Sequence, residues 1–266
     1  MPAERMMGRG AAGPAVAEGV QAITTAILAG GLGTRLRSVV GDRPKVLASV
    51  GGRPFLAYLL EQLLSHGITH AVLCTGYLGE QVPSVFGEAY RGIRLSYSRE
   101  ATPLGTGGAL RLALPFFESE SVLVMNGDSY CAADLRAFWA WHSARRAQAS
   151  LLLRHMPETS RYGRVLVDEA GRVLGFDEKS DASGPGWINA GIYLLSRRLL
   201  RTIRSGQVVS LEREMFPAWA GQRLLCGYQS EGDVLDIGTP ESFAASQEVM
   251  RGVKGSARER QRGAWS

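Results

Sequence analysis

Residues 22–29, AITTAILA, form a short apolar run rich in β-branched side chains, and Gly30, Gly31 and Gly33 follow it at once. A run of that length closed by glycines reads as a buried strand. Three glycines in four positions then let main-chain N–H groups face outward, with no Cβ to hold a phosphate chain away. Arg35 and Lys45 supply the positive charge that a triphosphate requires. The segment is not a dinucleotide fingerprint, because Leu36 stands where the third glycine belongs, and no Gly-Lys-Ser/Thr triplet marks a P-loop. The bland rival is a tight strand-to-helix turn with no ligand.

Strand and helix patterns alternate from there on. Arg53–His66 places Phe55, Leu56, Leu59, Leu60, Leu63 and Leu64 on one stripe, with Pro54 near its start and Gly67 past its end. Further strands are expected at Ala71–Thr75, Ile93–Tyr97, Ser121–Met125 and Ser150–Arg154, and helices at Gly108–Phe117 and Asp134–Ala147. His142 reads as a histidine at the core edge rather than a ligand. The second half changes texture: Gly163–Val167 and Arg172–Phe176 read as a hairpin about the turn Asp168–Gly171. Strands at Ile188–Leu195, Gln222–Tyr228 and Asp233–Ile237 follow, and Thr239-Pro240 opens a last helix. The expectation is an α/β fold, a mostly parallel central sheet flanked by helices, with a mixed β insertion. Residues 22–250 would form its single domain, between a loose extension at 1–21 and a basic tail at 251–266.

Composition narrows the function. The net charge is +5, but Arg251, Lys254, Arg258, Arg260 and Arg262 face Glu259 alone, so most of the excess sits in the tail. The body is near neutral and has no basic face interleaved with aromatics, which argues against nucleic acid. No apolar run reaches the roughly 18 residues of a membrane helix. Cys74, Cys131 and Cys226 show no metal-ligand spacing, and a reducing, cytoplasmic setting is expected. The 33 glycines in 266 residues exceed ordinary usage and point to many turns, or to loops that approach a ligand closely.

Carboxylates supply the second chemical signal. Asp128 follows the strand at 121–125 and Asp236 sits at the end of the strand at 233–237. Ligands on parallel sheets bind beyond the carboxyl ends of the strands. Two carboxylates there suit Mg²⁺ bound to phosphates, although each aspartate could simply open a turn. Gly105-Thr106-Gly107-Gly108 precedes a helix, where amides can meet an anion or a base edge. Glu178-Lys179 and Asn189 would suit a phosphorylated polyol, or else salt bridges and turns.

Taken in order, LAGGLGTRL (28–36), RPKVL (43–47), PLGTGGAL (103–110), NGDS (126–129), FDEK (176–179), NAGIY (189–193) and DIGTP (236–240) resemble the sugar-1-phosphate nucleotidylyltransferases. RYGRVLVDE (161–169) and WINAGIYLL (187–195) look most similar to the D-glycero-α-D-manno-heptose 1-phosphate guanylyltransferases of that family. Val46 and Ser180 stand where the family usually has proline. The resemblance implies a Rossmann-like nucleotidyltransferase fold, Mg²⁺, an NTP with GTP favoured, and a sugar 1-phosphate. Mannose- or glucose-1-phosphate enzymes of the same fold and a non-catalytic nucleotide-sugar sensor are its rivals, and a homo-oligomer stays open.

The resemblance also implies roles. Leu28, Ala29 and Gly30 would hold base and ribose by main chain, and Gly31, Gly33, Thr34 and Arg35 would wrap the triphosphate. Arg35 would meet the leaving pyrophosphate and Lys45 the α-phosphate, while Gly107 and Gly108 would help to read the base. Asp128 and Asp236 would hold Mg²⁺. Glu178, Asn189 and the Gly163 main chain would bind the sugar, and Lys179 its phosphate.

Overall fold

The computed structural model describes residues 19–159, 164–177 and 184–249. The expected extension and basic tail lie almost wholly outside them. The expected first strand becomes β1 (Thr24–Ala29), preceded by a 3₁₀ turn at Val20–Ala22. After the glycine loop come the short helix α1 (Arg37–Val40) and a small hairpin, β2 (Ser49–Val50) and β3 (Arg53–Pro54). The next helix, α2 (Phe55–Ser65), starts later than its apolar stripe suggests. Gly51 and Gly52 both take positive φ, so the chain turns back there and Arg53–Pro54 belongs to a strand.

Strand β4 (His70–Thr75) leads through α3 (Gln81–Phe86) and β5 (Ala89–Tyr90) to β6 (Ile93–Arg99). Helix α4 (Gly105–Ala113) starts three residues before the expected Gly108. A 3₁₀ turn at Leu114–Phe116 closes it, because Pro115 has no N–H to continue the ladder. Strands β7 (Ser121–Asn126) and β8 (Ser129–Cys131) precede α5 (Leu135–Ala144), which Asp134 caps through Oδ1 to the Arg136 and Ala137 amides.

The remaining elements are β9 (Ala149–Met156), the hairpin β10 (Arg164–Val167) and β11 (Val173–Asp177), the long β12 (Gly186–Ser196), α6 (Arg197–Leu200), α7 (Phe216–Gly221), β13 (Leu225–Ser230) and β14 (Val234–Asp236). Residues 240–249 form a helix, and Thr239 and Ser242 cap it reciprocally.

The main sheet runs β11-β10-β12-β7-β1-β4-β6-β5, with β9 on β12 and β13 on β9. Its centre, β7-β1-β4-β6, is parallel, and the antiparallel β12 makes the remainder mixed. Alternation along the strands splits the core into two layers. Ile27, Leu73, Leu123 and Met125 face α2 and α5, whereas Ala26, Val72, Val122 and Val124 face Leu110, Phe216 and Trp219. The chain order reverses at β1, which sends one connection to β4 and a later one back to β7. A crevice opens at such a switch point, beyond the carboxyl ends of β1 and β7.

The three cysteines are unpaired. Among the described residues no helix is long and apolar enough to cross a membrane.

His142 on α5 is 3% exposed, and its Nδ1 lies 2.8 Å from Ser150 Oγ. Burial pushes it from the usual 6.5 down to about 4. The folded protein therefore favours the neutral ring, and the stability this gives is complete above pH 6.5 and is lost as pH falls toward 4. The difference corresponds to roughly 3 kcal/mol. Thermal melts between pH 7 and 4 should show a His142→Gln variant losing less stability on acidification than the wild type. Parallel pH profiles would contradict the assignment.

Candidate functional site

A cavity of about 250 Å³ lies at the predicted switch point. Its floor is the end of β1, Leu28–Leu32, and one wall is the turn Asn126-Gly127-Asp128 after β7. Lys45 and Val46 lie beneath it, and Glu100, Gly105, Thr106 and Ala109 close the far side. The two strand ends are stitched together, because Gly127 donates its N–H to the Leu28 carbonyl at 2.9 Å. A Cβ on Gly127 would lie 2.5 Å from that carbonyl oxygen, so only glycine permits the approach.

The charged end is built from three segments distant in sequence. Lys45 Nζ donates to Asp128 Oδ2 at 2.7 Å. Asp236 on β14 faces Ser129 on β8, and the Ile237 N–H bonds the Asp128 main-chain carbonyl at 2.9 Å. This antiparallel pair carries Asp236 to the side of Asp128. Burial pushes the Asp236 carboxyl up, and the Asp128 charge pushes the same way. Lys45, the Gly238 N–H and Arg35 oppose them. Two neighbouring carboxylates that share a single close ammonium still favour more positive charge. No group of three or more metal-type ligands occurs among the described residues. Two carboxylates nevertheless fit a magnesium-like cation, which completes its shell with water and phosphate oxygens.

The predicted residues fall in different places around this cavity. Leu28, Ala29, Gly30, Gly31, Lys45 and Asp128 line the cavity. Gly33, with φ +59, places its Cα beside the Lys45 side chain, and Thr34 and Arg35 are exposed at the mouth of the loop. Gly107 and Gly108 are turned away: both donate their N–H groups to the Val209 carbonyl, at 2.9 and 3.2 Å, and neither lines the cavity. Asn189 stands behind the wall. Its Oδ1 accepts from the Gly191 N–H and its Nδ2 donates to Tyr193 Oη at 3.0 Å, which in turn donates to Asn126 at 3.4 Å. Gly163, Glu178 and Lys179 lie outside the described residues.

Sequence reasoning passed over Glu100. It follows β6 directly, so the strand-end logic that found Asp128 and Asp236 applies to it equally. Its Oε2 accepts from the Leu104 N–H at 2.9 Å, and a Cβ on Gly30 would lie 2.6 Å from Oε1. Gly30 is therefore the residue that leaves Glu100 room on the cavity wall. Burial raises the Glu100 carboxyl, partly offset by the Leu104 amide. Cys74 also touches the cavity, but burial pushes its thiol up to about 12, so it offers no thiolate nucleophile.

The nucleotidyl transferase profile matches residues 24–251. A D-glycero-α-D-manno-heptose 1-phosphate guanylyltransferase of Aneurinibacillus thermoaerophilus is 36% identical over 85% of this chain and 97% of its own length. A mannose-1-phosphate guanylyltransferase of Mycobacterium tuberculosis is 35% identical over 87% of this chain and 66% of its own. Among solved structures, HddC from Yersinia pseudotuberculosis complexed with GMP-PN superposes with a TM-score of 0.76 at 31% identity, covering 86% of this chain and 99% of that one.

Proposed function

The chain belongs to the nucleotidyl transferase family and is a sugar-1-phosphate nucleotidyltransferase, and we propose that its nucleotide is GTP and its acceptor D-glycero-α-D-manno-heptose 1-phosphate. The observation that carries the guanine reading is the Glu100 carboxylate on the cavity wall. A buried carboxylate accepts from paired N–H donors, and the guanine edge presents N1–H and N2–H side by side. Adenine presents no such pair. The full-length likeness to the heptose enzyme supports the acceptor, and the Mycobacterium tuberculosis relative makes mannose 1-phosphate the second reading. The nucleotide sugar would serve surface polysaccharide or glycan synthesis, in the cytoplasm where its charged substrates are held.

The reaction needs no protein nucleophile. An oxygen of the sugar phosphate, already ionised at neutral pH, attacks the α-phosphorus of the nucleotide. The new P–O bond forms as the bond to the β-phosphate oxygen breaks, and pyrophosphate leaves. Positioning and charge neutralisation do the catalytic work, as in phosphoryl transfer generally. Lys45 brings an ammonium to the cavity floor, and Arg35 adds a guanidinium at its mouth for the leaving pyrophosphate. Leu28 to Gly31 hold the nucleoside by main chain and leave space for the phosphates. Asp128 and Asp236 would hold a divalent cation, Mg²⁺ in this reading, and when bound it would neutralise phosphate charge. Asn189, held by Tyr193 and Gly191, keeps one amide hydrogen for a sugar hydroxyl.

Three outcomes test the proposal. Lys45→Ala should lower kcat by about two to three orders of magnitude, while circular dichroism and the melting temperature stay near wild type. A near-wild-type rate would remove Lys45 from the chemistry. In a pyrophosphate-release matrix of GTP, ATP, CTP, UTP and dTTP against heptose, mannose and glucose 1-phosphates, GTP with the manno-configured heptose phosphate should be the best pair. Glu100→Gln should cut the preference for GTP over ATP about tenfold or more, because one of the two guanine acceptors is lost. Unchanged base preference would clear Glu100 of that role.

A further inference from the structure

The first turn of α4 is held by a segment more than a hundred residues away. Val209 accepts the Gly107 and Gly108 amides on its carbonyl and donates its own N–H to the Leu104 carbonyl at 2.8 Å. Thr106, which lines the cavity, donates its hydroxyl to Glu212 Oε2 at 2.7 Å and accepts from the Leu211 N–H at 2.8 Å. Ser210 also donates to Glu212 Oε2, at 3.1 Å, and caps the same segment by accepting from the Arg213 N–H. Residues Leu211–Met215 form a single π-helical turn, a rare conformation found frequently at functional sites. The helix N-terminus that looks ready for a ligand anion is thus already filled by the protein's own carbonyl and carboxylate.

We propose that Glu212 is a positioning residue for the nucleotide. It acts through Thr106, fixing the rotamer and the helical turn that wall the cavity opposite Leu28. Val209 secures the backbone of the turn, whereas Glu212 alone takes the proton of the Thr106 hydroxyl. Without that acceptor the threonine keeps only the Leu211 N–H as its partner, its hydroxyl proton turns to other acceptors, and the wall next to Glu100 and Gly105 is held less firmly. Nucleotide affinity then depends on Glu212, while the acceptor sugar phosphate does not.

The inference rests on the reading that this cavity takes the nucleotide, and titration calorimetry of the full chain with GTP, ATP and UTP separates the two. Glu212→Ala and Thr106→Val should each weaken GTP binding about tenfold. Thr106→Ser, which keeps the hydroxyl, should stay within about twofold of wild type, and the double variant should be scarcely weaker than either single one. The KM for the sugar phosphate should hold within about twofold in every variant. Unchanged GTP affinity in Thr106→Val, or an equal rise in KM for both substrates, would overturn the role, and Thr106→Val gives this answer even if Glu212→Ala does not fold. A wild type that binds none of the three nucleotides would overturn the cavity reading itself.

Discussion

The place of β1 between β4 and β7 governs everything else in this protein. Parallel neighbours on both sides leave its carboxyl end open, because the connection from β1 runs one way and the strand that completes the pair returns the other. The two strand ends approach until the Gly127 amide reaches the Leu28 carbonyl, and the lack of a side chain at Gly127 makes that contact achievable. From this junction the glycine loop goes to one side and Asp128 to the other. The site is a consequence of topology before it is a consequence of chemistry.

Charge is then concentrated where the topology leaves room. Asp128 and Asp236, more than a hundred residues apart in sequence, reach the same spot through the pairing of β8 with β14. Lys45 answers Asp128 directly, while burial, and after it the Asp128 charge, pushes the Asp236 carboxyl up. Such a cluster is poorly balanced by itself and well matched to a substrate that brings phosphates together with a cation. The net charge of the whole chain bears little on this, since most of its excess lies in residues 251–266.

Local patterns were legible in the sequence, and long-range partnerships were not. The strand-glycine junction at 22–33, the hairpin at 164–177, the helix beginning near Asp134 and the buried His142 all follow from neighbours within a few residues. The apolar stripe of α2 was read correctly, but its start was not, because the Gly51-Gly52 turn diverts Arg53 and Pro54 into a strand. Gly107 and Gly108 were expected to face a ligand, yet their amides meet Val209, a partner invisible to any local pattern. Glu100 carries no motif of its own and becomes visible only as one more carboxylate at a strand end. The Glu212–Thr106 contact spans 106 positions, and no periodicity could have paired them. The ordered set of seven motifs identified the reaction class, whereas base and sugar choice depend on side-chain placement.

In the proposed reaction this chain positions two phosphates for one direct displacement and never carries the nucleotide itself. Stereochemistry at the α-phosphorus tests it most directly. With a single diastereomer of the α-thio nucleotide as substrate, the nucleotide sugar product should show inversion at phosphorus by ³¹P NMR. Retention of configuration would mean two successive displacements through a covalent enzyme intermediate, and would contradict the account.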